Sequence, residues 1–181
     1  MTVYVAADEL EAGLTEIRMS PTTEGTVELV VRRPAEGERE VLEEASLDAD
    51  VGLVGDDWQA RRLRRGQDLD PRTQLTMMNA RTIAVLAGER ARWPLAGDQL
   101  YVDFDLSAEN LPPGTRLEIG TAVVEVSDVP HTGCAKFTER FGSEATRFVN
   151  GKSGRPLRLR GLNARVVTNG VVRPGDAIRK I

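Results

Sequence analysis

The chain has one cysteine and one histidine among 181 residues, and each shortage removes a class of chemistry. A single thiol forms no disulfide within the chain, builds no cysteine-rich zinc cage and holds no iron–sulfur cluster by itself. A single imidazole excludes a metal centre built from several histidines. Long apolar runs are also missing. No stretch approaches the roughly 20 residues that cross a bilayer, and the opening MTVYVAADELEAGLTEIRMSP has neither the basic segment nor the apolar stretch of a signal peptide. No membrane partner and a cytoplasmic location are therefore expected. Basic residues are in deficit, 24 Lys and Arg against 28 Asp and Glu for a net charge of -4, which gives no global attraction for nucleic acid. A glycine-rich dinucleotide fingerprint running from strand to helix is absent too, so a reductase built on this chain would need a separate redox partner.

What is present is enough apolar content, 40% of residues, to fill one sizeable core, and a single domain over 1–181 is expected. Leu10, Leu14 and Ile17 recur at helical spacing and predict a helix over 8–17 packed on a core of about 25–181. Val27, Leu29 and Val31 alternate with Thr26, Glu28, Val30 and Arg32, which predicts a strand with one buried face. REVLEEASL follows a Pro34–Gly37 turn and reads as the second strand of a hairpin. From Val51 to Asp70 no period survives, and the segment reads as a long loop holding Asp56, Asp57, Trp58 and four arginines. TQLTMM then predicts a strand and NARTIAVLAGER a helix capped by Asn79, with Ile83 and Leu86 inward and Trp93-Pro94 as its stop. Short β runs follow: QLYVDFDL, TRLEIG, AVVEVSD, GLNARVVT and VVRPGDAIRKI, the last two joined across Asn169-Gly170 in a hairpin-favouring step. Many short strands with Gly and Pro turns and few helices point to a mainly β, barrel-like mixed fold.

Chemistry concentrates in DVPHTGCAKFTERFG. His131, Gly133, Cys134 and Lys136 fall between a strand and a helix whose Phe137, Phe141, Ala145 and Phe148 share a face. A helix N-terminus and nearby cations enlarge the thiolate fraction of a thiol, and the thiolate is the form that binds metal or attacks sulfur. Gly133 beside it leaves room for close approach of a cofactor. The plainer alternative is a small buried apolar cysteine, inert in a non-catalytic binding domain. His131 either tunes Cys134 and takes its proton or serves the structure alone.

Three segments, VGLVGDDW, FDLSAENLPPGTRLEIGTAVVEVSDVPHTGCAKFTERFG and LRGLNARVVTNGVVRPGDAI, resemble in order the molybdenum cofactor sulfurase C-terminal (MOSC) domain family, from about Gly25 to the C-terminus. Two positions depart from the family pattern: Ala108-Glu109-Asn110 stands where Gly-Glu-Asn is common, and Gly133 where proline often precedes the cysteine. The resemblance implies a MOSC-like mixed β-barrel whose cysteine, here Cys134, ligates molybdenum in a pterin cofactor or carries sulfur. It also implies a catalytic part of a reductase for N-hydroxylated compounds, or a metal-free module served by a cysteine desulfurase. Pyridoxal phosphate, which belongs to the larger sulfurases, is not expected in 181 residues.

A molybdenum–pterin ligand is anionic, and binding it calls for Arg, Lys and Asn donors. Lys136, Asn110, Arg160, Asn163 and Arg62 are the candidates, with Cys134 and His131 as the reactive pair. Their ordinary alternatives are solvated charges for Arg160 and Lys136, a turn for Asn110, and a salt-bridged surface for the arginine cluster. Asp56 and Asp57 either hold a turn or orient Arg61 and Arg62. A small-molecule substrate or cofactor is the expected partner.

Overall fold

The computed structural model describes residues 4–181. Seven strands close a mixed barrel: β1 (Glu24–Arg32), β11 (Ala177–Lys180), β7 (Arg116–Ile119), β8 (Ala122–Val126), β9 (Leu162–Thr168), β5 (Leu75–Asn79) and β6 (Leu100–Asp103), with β6 returning to β1. Strands β5 and β6 run parallel; the other barrel pairings are antiparallel. Closure leaves β1 with three partners, β11 through residues 24–26, β6 through 26–30 and β2 (Glu40–Leu42) through 30–32.

Alternation accounts for which side chains fill the barrel. Met77, Leu100 and Val102 point inward with Val124, Val166 and Ile178, while Met78 and Tyr101 point outward from the same strands. Strand β1 breaks the expected rhythm. A bulge between Val27 and Leu29 shifts the register, so Val27 and Val30 enter the barrel while Leu29 and Val31 face outward. One extra residue flips every side chain beyond it to the other face.

The outward face of β1, β5 and β6 is covered by helices. Leu10 of α1 (Ala7–Ala12) and Leu14 and Ile17 of α2 (Leu14–Arg18) pack there with Ile83 and Leu86 of α4 (Ala80–Ala87). The expected helix over 8–17 is divided at Gly13, where a Cβ would lie 2.6 Å from the Val85 side chain. Asn79 caps α4 as read from sequence, its Oδ1 accepting from the Arg81 amide at 2.8 Å. The helix stops at Gly88, φ 66°, earlier than Trp93-Pro94, which sit within a 3-10 segment from Arg90 to Ala96.

Three further expectations change. REVLEEASL divides after Leu42, because β3 (Ala45–Asp48) leaves the barrel to pair with β4 (Gly52–Leu53) and β10 (Gly170–Val172). This small sheet adds Leu47, Leu53 and Val172 to the barrel core. Strands β9 and β10 therefore form no hairpin across Asn169-Gly170; the Asn169 side chain instead bonds the Ala49 amide and Asp48. The presumed loop over 51–70 contains α3 (Trp58–Arg64), whose Trp58 is buried and donates through Nε1 to Thr73. The helix after the cysteine, α5 (Ala135–Asn150), is kinked at Gly142, φ 91°. Among the described residues no helix is long and apolar enough to cross a membrane.

Candidate functional site

Six stretches distant in sequence meet at a cavity of about 300 Å³: the loop after β1, α3, Thr73 and Thr76 around the start of β5, Ala96 and Gly97 at the end of the 3-10 segment, the loop into α5 with its first turns, and the start of β9. The turn into β9 is tight. A Cβ at Gly161, φ 104°, would lie 2.2 Å from the Met77 carbonyl, so only glycine lets the chain press against β5 and tuck Arg160 beneath the cavity. Eight basic side chains line the space against two acidic ones, Glu36 and Asp57. Arg39 and Arg140 find no carboxylate among the described residues and donate to the Pro94 and Leu95 carbonyls. Burial, and then the neighbouring Arg140 and Arg33 charges, push the Arg39 guanidinium below its ordinary pKa. Arg61 is pushed down as well, by burial and then by Arg33. Cations whose charged form is disfavoured in this way gain by taking up an anion.

Beneath this rim lies an ion-paired hub. Asp98 is fully buried, accepting from Arg160 Nη1 at 2.6 Å and lying 3.0 Å from His131 Nε2. Burial alone would raise the Asp98 pKa, but Arg160 and the His131 contact outweigh it and hold the carboxyl at about 2. Burial, then the Arg160 charge, lowers the His131 pKa against the opposing pull of Asp98. With His131 neutral at neutral pH, Arg160 is the cation that keeps Asp98 ionised there. An ionised carboxylate only accepts, so His131 Nε2 carries the hydrogen and Nδ1 keeps a free lone pair. A second pair, Arg33 with Asp56, joins the loop after β1 to the segment before α3, with Arg33 Nη2 2.7 Å from Asp56 Oδ1 and Nη1 donating to Gly97 O.

Comparison with known proteins is decisive at this point. The sequence model of the MOSC domain matches residues 55–179, more than half of the chain. The chain belongs to the MOSC domain family. Solved structures with the same fold include the YUAD protein from Bacillus subtilis, 18% identical with a TM-score of 0.61 over 86% of this chain and 94% of that one. YiiM from Escherichia coli is 19% identical with a TM-score of 0.57, over 86% of this chain and 69% of the other. A crystal structure described only as a hypothetical protein is 20% identical with a TM-score of 0.60, over 91% and 70%. No curated protein sequence matches the chain. The family match starts beyond β1, yet β1 closes this MOSC barrel and the loop after it supplies Arg33 and Arg39 to the cavity.

Of the residues singled out from sequence, Cys134, His131, Lys136, Arg160, Asn163 and Arg62 all line the MOSC cavity. Cys134 is exposed, at the N-terminal boundary of α5, and its side chain caps nothing. Lys136 pairs with Glu36 at 2.7 Å. Arg62 is held by the Asp68 carbonyl and Thr73, whereas Asp57 faces Arg61 and Arg64. Asn163 donates to the Val129 and Pro130 carbonyls and so positions the loop carrying His131. Asn110 is not brought to the cavity: it bonds the Asp105 carbonyl and accepts from Lys180, because the turn after β6 points elsewhere. Gly133 packs inward, bonded both ways to Asn150, and a Cβ there would meet Val149 at 3.2 Å; its lack of a side chain serves loop docking. Sequence reading passed over Asp98, Arg33, Arg39 and Arg140. The only local signal for Asp98 was the lone histidine itself, which needs a partner to fix its tautomer.

Proposed function

We propose that this MOSC domain binds a molybdenum–pterin cofactor, with Cys134 as sulfur ligand to the metal, and acts in that state as the catalytic part of a reductase for N-hydroxylated compounds. The observation that carries this reading is an exposed thiol on a cavity lined by eight basic and two acidic side chains. The donor set suits the group. Such a cofactor is anionic, brings its own sulfur ligands and needs one protein thiol, and among the described residues no three His, Cys, Asp and Glu gather to hold a metal without it. Arg39, Arg61, Arg62 and Arg140 would receive the negative charge. When bound, the group supplies two-electron redox chemistry. The chain contributes the rest: the arginines orient the ligand and favour the thiolate, and Asp98 fixes the His131 ring with Nδ1 free to accept a proton. We assign this work to the cytoplasm, where a lone thiol stays reduced, with electrons from a separate redox partner.

Metal and pterin analysis of protein made in a host that supplies molybdenum cofactor tests the reading. Molybdenum with pterin in the wild type, lost in Cys134→Ala, is the expected result. No molybdenum in the wild type would sink it. The exposure of Cys134 supports a second reading, a persulfide carrier loaded by a cysteine desulfurase. That reading predicts a persulfide on Cys134 after incubation with the desulfurase and cysteine, detected by mass spectrometry.

A further inference from the structure

We infer that Cys134 also takes sulfur directly from a small sulfane-sulfur dianion of the thiosulfate type, without a desulfurase, and so works as a sulfurtransferase. The inference rests on the persulfide reading of Cys134 and not on the molybdenum one. A thiolate and a dianion repel each other in water, which slows their reaction, and a site that runs this chemistry must supply positive charge in excess of its own anions. This cavity does so. Eight basic groups and two carboxylates line it, Asp56 and Asp98 beneath neutralise Arg33 and Arg160, and four positive charges remain in excess; Arg39 and Arg140 have no carboxylate of their own among the described residues. Arg160, 6% exposed, lines the cavity with Nη1 and Nη2 engaged by Asp98 and the Ala96 carbonyl, and its Nε keeps a hydrogen that no group among the described residues accepts. A space of about 300 Å³ admits a small oxyanion together with the sulfur it would deliver. The lowered pKa values of Arg39 and Arg61 accord with cations held close together and short of counter-charge.

The step balances without an external oxidant. The Cys134 thiolate attacks the sulfane sulfur of thiosulfate, a new S–S bond forms, the S–S bond of the donor breaks, and its electron pair leaves on sulfite. The thiol loses its proton to solvent before the attack, and the surrounding cations favour the thiolate. A nucleophile such as cyanide then removes the outer sulfur as thiocyanate and returns the Cys134 thiolate. The cations that draw in the dianion also stabilise charge on the departing sulfite.

Purified full-length protein, reduced and freed of reductant, is incubated with thiosulfate and read by intact-mass and peptide mass spectrometry, with sulfite release and thiocyanate formation from added cyanide as second readouts. The expected result is a gain of one sulfur on Cys134, absent in Cys134→Ala. Arg39→Gln combined with Arg61→Gln should raise the thiosulfate concentration for half-maximal labelling by roughly ten- to a hundredfold, and Arg165→Ala on the outer sheet should leave it unchanged. Thermal melts confirm that each variant is folded; if the double variant is not, the same loss is read from added salt on the wild type. Labelling by desulfurase but not by thiosulfate overturns the inference and leaves the carrier reading intact. Labelling by neither overturns both. Equal labelling of a folded double variant also overturns it, since the cavity then recruits nothing.

Discussion

Arginines on the outer sheet and arginines at the cavity are treated in opposite ways by one fold. On β7, β8, β9 and β11 the cations find carboxylates across the strands: Arg116 and Arg165 both meet Glu125, and Arg179 lies near Glu24 and Glu118. Hydrogen bonding from Arg165 first among these contacts lowers the Glu125 pKa. At the cavity the carboxylates sit underneath, Asp56 on Arg33 and Asp98 on Arg160, and the rim above them keeps cations in excess. Paired charge on the sheet face serves register and solubility. Unpaired charge at the cavity costs stability in the free protein, a cost that a bound anion would offset.

The largest effect should come from the hub. Asp98→Ala leaves Arg160 buried without its carboxylate and is expected to cost about 3–5 kcal/mol, read from urea unfolding. A loss below about 1 kcal/mol would erase the distinction between hub and rim. Acid should act next, in two stages. The His131 pKa is lower in the folded chain than its ordinary 6.5, so the unfolded chain binds the extra proton and stability falls as pH drops below about 6.5. The Asp98 pKa is lowered from 3.8 to about 2, so its contribution, complete above 3.8, is lost as pH falls through that window. His131→Gln should flatten the first stage and spare the second in a pH series of unfolding midpoints. On the sheet, Arg165→Ala should cost about 0.2–1 kcal/mol and lose that cost in high salt.

The smallest change in stability, and the most telling, is expected at the rim. Arg39→Gln should leave the thermal midpoint unchanged or slightly raised, because it removes a crowded cation, and it should shrink the midpoint gain produced by added sulfate. A drop as large as that of Asp98→Ala would mean that Arg39 holds the fold together and is not reserved for a ligand.

Much of this was legible from local pattern, because the local pattern is what alternation, helical spacing and caps record. Asn79 announced α4, the Phe137, Phe141, Ala145 and Phe148 spacing announced α5, and the single cysteine marked the cavity. The face assignment on β1 was not legible, since a bulge is invisible to a period of two. Nor was the division of REVLEEASL between two sheets, which depends on β10 arriving from far along the chain to pair with β3. Asp98 was passed over because its partners lie 33 and 62 residues away.

The sequence by itself determined the strand-rich class, the family and the position of the one thiol, all matters of short-range order. Tertiary structure decided which charges share a space. The net charge of -4 gave no hint of a basic cavity, because arginines from the 33–39, 58–65 and 140–160 regions are scattered in sequence and meet only when barrel closure brings those loops to one place.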